Sequence, residues 1–313
     1  MPRRRHGRRT GRPLRIAGAV VAIALSATGC SRTSSGAAGV IDAVGAENEY
    51  ANVISQVGGP YVSVTAVMSN PNTDPHTFEA SPQVAEAVSG AELVVQNGLG
   101  YDTFMSKIES AAPNPRRKLI VVQDLSGLSG TTTSNPHLWY QPATMPAVAE
   151  AVATDLAALE PGHAAFFHAR AGAFEASLAP LAHAIAALKA DFPGAPVATT
   201  EPVGDYLLEA AGLQNRTPWS LQADIMNGVD PSPQDVSTEE SLLDGHHVRV
   251  FLYNEQVTDS ITQSFLAQAQ QAGVPVVAVY ETMPSGYDYQ SWMLAEVGAL
   301  RKALASNVST TRL

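Results

Sequence analysis

The sequence predicts an α/β protein of two lobes, each with a mostly parallel sheet flanked by helices, joined by one long helix. Three observations predict it. Strand and helix patterns alternate through the first half, one apolar stripe runs unbroken through the middle, and the alternation resumes in the second half. Alternation of this kind gives parallel sheets covered by helices.

In order along the chain, Val40 to Gly45 and Val62 to Met68 read as strands. Ser81-Pro82 is an N-cap followed by proline at the first helical position, and Gly90 is a stop for that helix. Leu93 to Gln96 is a short buried strand ending at Asn97-Gly98, and Lys118 to Gln123 is another. From Glu160-Pro161 to Lys189 the apolar residues Phe167, Phe174, Leu178, Leu181, Ile185 and Leu188 make one helical stripe. A helix of about 28 residues runs roughly 42 Å, enough to cross a lobe, and Pro180 is the place for a kink. Val197 to Thr200 is a strand, with a helix after Glu201-Pro202 that ends near Gly212. Val248 to Tyr253 is a strand, Thr258 to Gln271 a helix closed by Gly273, Val276 to Tyr280 the last strand, and Tyr289 to Leu304 the final helix.

The ends and the charge set further bounds. Met1 to Arg15 carries seven arginines and no acid, and Ile16 to Leu25 is an apolar run too short to span a bilayer. Ala27-Thr28-Gly29 then precede Cys30, the only cysteine. We expect 1–29 to be a lipoprotein signal peptide, Cys30 to carry the lipid, and 30–39 to be a flexible tether. The remainder divides into an N-terminal lobe at 40–160, a linker helix at 161–190 and a C-terminal lobe at 191–313. Without the leader, 12 basic residues stand against 29 acidic ones, a formal charge of −17. That argues against nucleic acid or an anionic membrane surface as partner and is compatible with a cationic ligand.

Two imidazoles are set in matching loops, Asp74-Pro75-His76-Thr77-Phe78 and Asn135-Pro136-His137-Leu138-Trp139. Each proline fixes φ beside the histidine and pushes the preceding residue out of the α region, so each ring is presented from a stiff loop. Ligands of parallel sheets bind beyond the carboxyl ends of the strands. His76 and His137 lie in loops after first-half strands, while Glu201 and Glu281 directly follow second-half strands. Two imidazoles and two carboxylates suit a divalent ion in a cleft between lobes, zinc or manganese among them. Glu201 also sits where an acid favours a helix N-terminus. Asp288 rivals Glu281 as the fourth ligand, but it occupies the N-cap position of the last helix. His163, His168 and His183 fall on the long helix and read as surface residues, and His246-His247 reads as a turn. Asn97-Gly98-Leu99-Gly100 lacks the spacing of a dinucleotide or phosphate loop.

On these residues, together with Gly58-Gly59, Ser81-Pro82, Gln96-Asn97-Gly98-Leu99, Thr200-Glu201 with Tyr206, and Tyr289 with Met293, the chain resembles the metal-binding lipoproteins of bacterial zinc and manganese ABC importers. The resemblance covers essentially the whole mature chain. It implies a rigid linker helix with limited closing motion, and metal ligands at His76, His137, Glu201 and Glu281. It further implies a transported Mn2+ or Zn2+ ion as ligand, an ABC permease as partner, an extracytoplasmic monomer anchored to the cell membrane by its lipid, and no catalysis. The family commonly has aspartate where Glu281 stands. Many zinc members have histidine at the Glu201 position and a His-rich loop, and their absence here points toward manganese. Two rivals are an extracytoplasmic metalloenzyme using the same residues, which needs an open coordination position, and a siderophore or haem receptor of similar architecture. A cell-adhesion role would rest on exposed faces that the sequence does not mark.

Overall fold

The computed structural model describes residues 40–126 and 135–313. Cys30, the leader and the tether lie outside the described residues.

The first lobe is built on strands β1 (Ile41–Glu47), β2 (Val62–Met68), β3 (Leu93–Gln96) and β4 (Lys118–Val121), all parallel, in the order β2-β1-β3-β4. Its helices are α1 (Asn48–Gly58), α2 (Pro82–Gly90), α3 (Thr103–Ala111), the single turn α4 (Val122–Leu125) and α5 (Thr144–Leu159). The Ser81 side chain accepts from Val84 N, closing the N-terminus of α2 as its Ser-Pro start predicts. Two helices follow, α6 (Ala164–Ser177) and α7 (Ala179–Asp191). The second lobe repeats the first with β5 (Pro196–Thr199), β6 (Gln214–Asn215), β7 (Phe251–Asn254) and β8 (Val276–Val279), again parallel, in the order β6-β5-β7-β8. Around them lie α8 (Asp205–Ala210), α9 (Trp219–Met226), α10 (Pro233–Asp244), α11 (Ser260–Ala272) and α12 (Tyr289–Ser306).

The long helix is bent rather than straight. α6 ends at Ser177, Leu178 lies between the two segments, and Pro180 sits in the first turn of α7. Proline supplies no N–H to the preceding turn and its ring displaces the carbonyl there, so the break falls where the ladder loses a donor. α6 packs on α1 and α5 of the first lobe, and α7 on α8 and α12 of the second. The stretch Pro161–Asp191 is apolar and long enough to cross a membrane by length and composition alone. Here its stripe of Phe167, Phe174, Leu178, Leu181, Ile185 and Leu188 is buried against the two lobes. One hydrophobic core runs from β1 through these helices to α12. A continuous close-packed core resists large rotation of one lobe against the other.

Both sheets reverse strand order beside their first strand, which opens a crevice at the carboxyl edge. In the second lobe the register sets the site. Thr199 pairs with Leu252 and Asn254 with Val279. Glu201 therefore comes level with Asn254, and Glu281 emerges two residues beyond the neighbouring strand.

Candidate metal centre

The first site histidine is held by its own loop. Asp74 accepts the His76 backbone N–H at 2.8 Å and caps the short 3-10 turn Pro75–Thr77. Phe78, the aromatic of the motif, anchors the loop against Phe104 at 4.8 Å between ring centroids. The residue reaches the surface, yet only 24% of the His76 side chain is exposed.

His137 is fully buried. Trp139 packs edge-on against its ring at 5.4 Å. The glycine-rich turn supports it from behind: Asn97 Nδ2 donates to Pro136 O at 2.8 Å, and the Asp102 carboxylate accepts the N–H groups of Asn97 and Gly98 at 2.6 and 3.0 Å. Gly98 has φ +84°, and a Cβ there would meet Gln123 Oε1 at 2.7 Å, so only glycine fits. That turn also delivers Tyr101, whose hydroxyl donates to Glu281 Oε2 at 2.9 Å.

Glu281 is where the two lobes meet. Its Oε2 lies 3.2 Å from His76 Nε2 and 3.1 Å from His137 Nε2. One ligand atom from each of His76, His137 and Glu281 lies within 4.8 Å of the others. Glu281 Oε1 accepts from Asn254 Nδ2 at 2.7 Å, and the backbone N–H of Glu281 donates to Gln256 Oε1 at 2.7 Å. Glu201 joins this group through Asn254, which also donates to Glu201 Oε2. The other oxygen, Glu201 Oε1, is buried without a hydrogen-bond partner.

Asn135 decides which nitrogen of His137 carries hydrogen. Its Nδ2 donates to Pro202 O at 2.6 Å, which fixes the amide, so Asn135 Oδ1 accepts from both His137 N (3.0 Å) and His137 Nδ1 (2.8 Å). The proton of neutral His137 is thus on Nδ1, and the lone pair of Nε2 faces Glu281.

Burial is the largest influence on each ionisable group here, and the outcomes differ. Burial holds His137 below its usual pKa against the opposing pull of Glu281. For His76 burial also works downward, but the Glu281 charge and hydrogen bond, with help from Glu201 and Asp74, raise it to about 9. Burial works to raise Glu281, yet the His76 charge and the close approach of both imidazoles hold it well below the usual carboxylate range. Burial, then repulsion from Glu281, push Glu201 well above that range. In the metal-free site the environment thus favours the charged forms of His76 and Glu281 and the uncharged forms of His137 and Glu201.

Of the expected site residues, the structure brings together His76, His137 and Glu281, and links Glu201 to them through Asn254. Asp288 does not reach the cluster: its carboxylate accepts from Ser291 N at 2.8 Å in a capping box at the start of α12. His168 stands by Glu150 at 3.4 Å, and His183, His246 and His247 are exposed. His163 differs from the surface placement expected of it. It is partly buried, stacked on Tyr61 at 3.9 Å, because Gly59 lets the Tyr61 turn lie close to α6. Sequence reading missed Tyr101, Asn135, Asn254 and Gln256. The available signal was position, since Asn254 ends a strand at the same sheet edge as the two glutamates.

The family model described as zinc-uptake complex component A periplasmic, ZnuA, matches residues 44–303. A Thermotoga maritima protein is 32% identical over 95 residues, which are 30% of this chain and only 33% of that relative's length. The metal ABC transporter substrate-binding lipoprotein FimA of Streptococcus parasanguinis is 22% identical over 235 residues, 70% of this chain and 74% of that protein. Among solved structures, the periplasmic zinc binding protein TroA from Treponema pallidum aligns with a TM-score of 0.71 at 18% identity, over 86% of this chain and 100% of that one. A likeness at that identity establishes the two-lobed fold. The family model spans most of the chain from β1 to α12, and the protein therefore belongs to the zinc-uptake complex component A periplasmic family.

Proposed function

We propose that this protein captures a divalent transition-metal ion, Zn2+ or Mn2+, outside the cytoplasm and delivers it to an ABC permease. The donors are His76 Nε2, His137 Nε2, Glu281 Oε2 and Glu201 Oε1. One observation carries the reading. His137 Nε2 presents a lone pair to a carboxylate oxygen 3.1 Å away, and burial of the ring opposes the proton that would reconcile them. Two acceptors aimed at one point are unfavourable until a cation lies between them. The orphaned Glu201 Oε1 is a further acceptor for the same ion.

The family is one of transport binding proteins, and the site suits that role. Four protein donors from two lobes enclose an ion without leaving an assigned position for a reacting water, so the chain acts as a carrier rather than an enzyme. FimA and the Bacillus subtilis manganese-binding lipoprotein MntA are named as lipoproteins. In line with them, we assign the lipid to Cys30, which would keep a monomeric protein beside its permease. Mass spectrometry of the mature N-terminus should find a lipidated Cys30, and cleavage elsewhere would remove the anchor.

Thermal unfolding with and without metal tests the site. Binding to the folded state alone should stabilise the wild type by roughly 4 kcal/mol at a thousandfold excess over the dissociation constant. His76→Ala and His137→Ala should lose most of that shift while their metal-free forms stay folded. Full shifts in both variants would place the ion elsewhere.

A further inference from the structure

Asn254 lies between the two acids of the site with its amide committed on both sides. Its Oδ1 accepts the Gln256 backbone N–H at 3.0 Å, so Nδ2 faces the carboxylates. Both amide hydrogens are then used, one on Glu281 Oε1 at 2.7 Å and one on Glu201 Oε2. The Asn254 backbone is tied down as well, donating to Thr200 Oγ1 at 3.1 Å, next to Glu201. Asn254 therefore engages one oxygen of each acid, and leaves for an ion Glu281 Oε2, beside the Tyr101 hydroxyl and both imidazoles, and the unpartnered Glu201 Oε1.

We propose that Asn254 sets the metal preference of the site, by restricting Glu201 and Glu281 to one ligating oxygen each and so favouring a four-coordinate ion over ions that take five or six ligands. The inference rests on the metal-site reading above. Two imidazole nitrogens and two single carboxylate oxygens make the tetrahedral set that zinc takes. If both carboxylates chelated through both oxygens, the same side chains would supply two nitrogens and four oxygens, a set that suits manganese. Water has little room to make up the difference. His137, Glu201 and Glu281 are 0–2% exposed, and only His76 borders the outer cleft, a cavity of about 720 Å³. The carboxylate at position 201 and the amide at 254 thus act in opposite directions: oxygen donors admit manganese, while their restriction to single oxygens restores the zinc geometry.

Asn254 is a positioning residue, so the test needs a readout of coordination as well as affinity. Co2+ reports it, because its tetrahedral complexes absorb visible light far more strongly than its six-coordinate ones. Wild-type protein loaded with Co2+ should show the intense four-coordinate spectrum. Asn254→Leu keeps the branched shape and removes both donors, along with the acceptor of the Gln256 N–H. It should weaken that spectrum and lower the Zn2+-to-Mn2+ affinity ratio by about tenfold or more, the scale of losing a hydrogen bond that orients a metal ligand. Asn254→Ser, with one donor, should fall between. An unchanged spectrum and ratio in Asn254→Leu overturns the proposal. So does a weak six-coordinate spectrum in the wild type, which decides the matter even if Asn254→Leu does not fold. Failure of the wild type to bind Zn2+, Mn2+ or Co2+ at all is a different result: it removes the metal-site reading itself.

Discussion

Glu281→Gln should weaken Zn2+ binding by about a thousandfold, equivalent to roughly 4 kcal/mol, the scale of removing one charge from a buried charged pair. The change keeps the shape of the side chain and removes its charge. That charge faces both imidazoles, at 3.2 and 3.1 Å, and is braced by the Tyr101 hydroxyl at 2.9 Å. Neither of the two other expected acids replaces it. Glu201 Oε2 is held by Asn254, and Asp288 is fixed as the cap of α12. Competition against a chromophoric chelator measures the loss, and an affinity within tenfold of wild type would exclude Glu281 as a ligand. Asp288→Ala is the matching control. It should cost about 1 kcal/mol of stability through the lost cap and leave metal affinity unchanged.

Asp288 and Glu281 also show what a sequence makes legible. The Asp288 cap is local: its partner is Ser291, three residues on, and the motif is readable in a short window. The same holds for Ser81 before α2 and for Gly273, which closes α11 at φ +72°. β2 and β3 occupy the residues that their apolar runs predict. Lys118 to Gln123 was less readable, since the strand gives way to the turn α4 after Val121. An apolar run alone does not distinguish those two states. The histidines were visible because proline stiffens their loops. Asn254 and Tyr101 were not, because a neutral polar residue at a strand end or in a turn carries no local mark. Asn254 meets Glu201 across 53 residues, Tyr101 meets Glu281 across 180, and only sheet register and lobe packing join them. The metal preference lies in the same category. Donor types are written in the sequence, but the number of oxygens each carboxylate can offer depends on what else holds it.

The protons of the site give the other large expected effect. An unperturbed histidine would confine the pH dependence of binding to the region around 6.5. The geometry moves it upward. His76 titrates at about 9 in the folded protein, so it holds a proton at neutral pH in the metal-free state, and burial with repulsion from Glu281 shifts Glu201 in the same direction. Ligands bind an ion in their deprotonated forms, so a divalent ion entering at pH 7 should displace the His76 proton, and the upward shift of Glu201 adds to the release. The sign follows from the raised pKa values. The His76 contribution to metal-free stability is fully present below the unfolded value of 6.5 and is lost as pH rises through about 9. Glu201, raised as well, also favours the metal-free fold at lower pH, and its proton opposes the ion. Affinity for Zn2+ should therefore rise between pH 6.5 and 9 by about tenfold per unit for each proton displaced, and the metal-induced rise in Tm should grow with it. Calorimetry in buffers of different ionisation enthalpy counts the protons directly. A flat affinity across that interval with no proton released would show that neither His76 nor Glu201 gives up a proton to the ion.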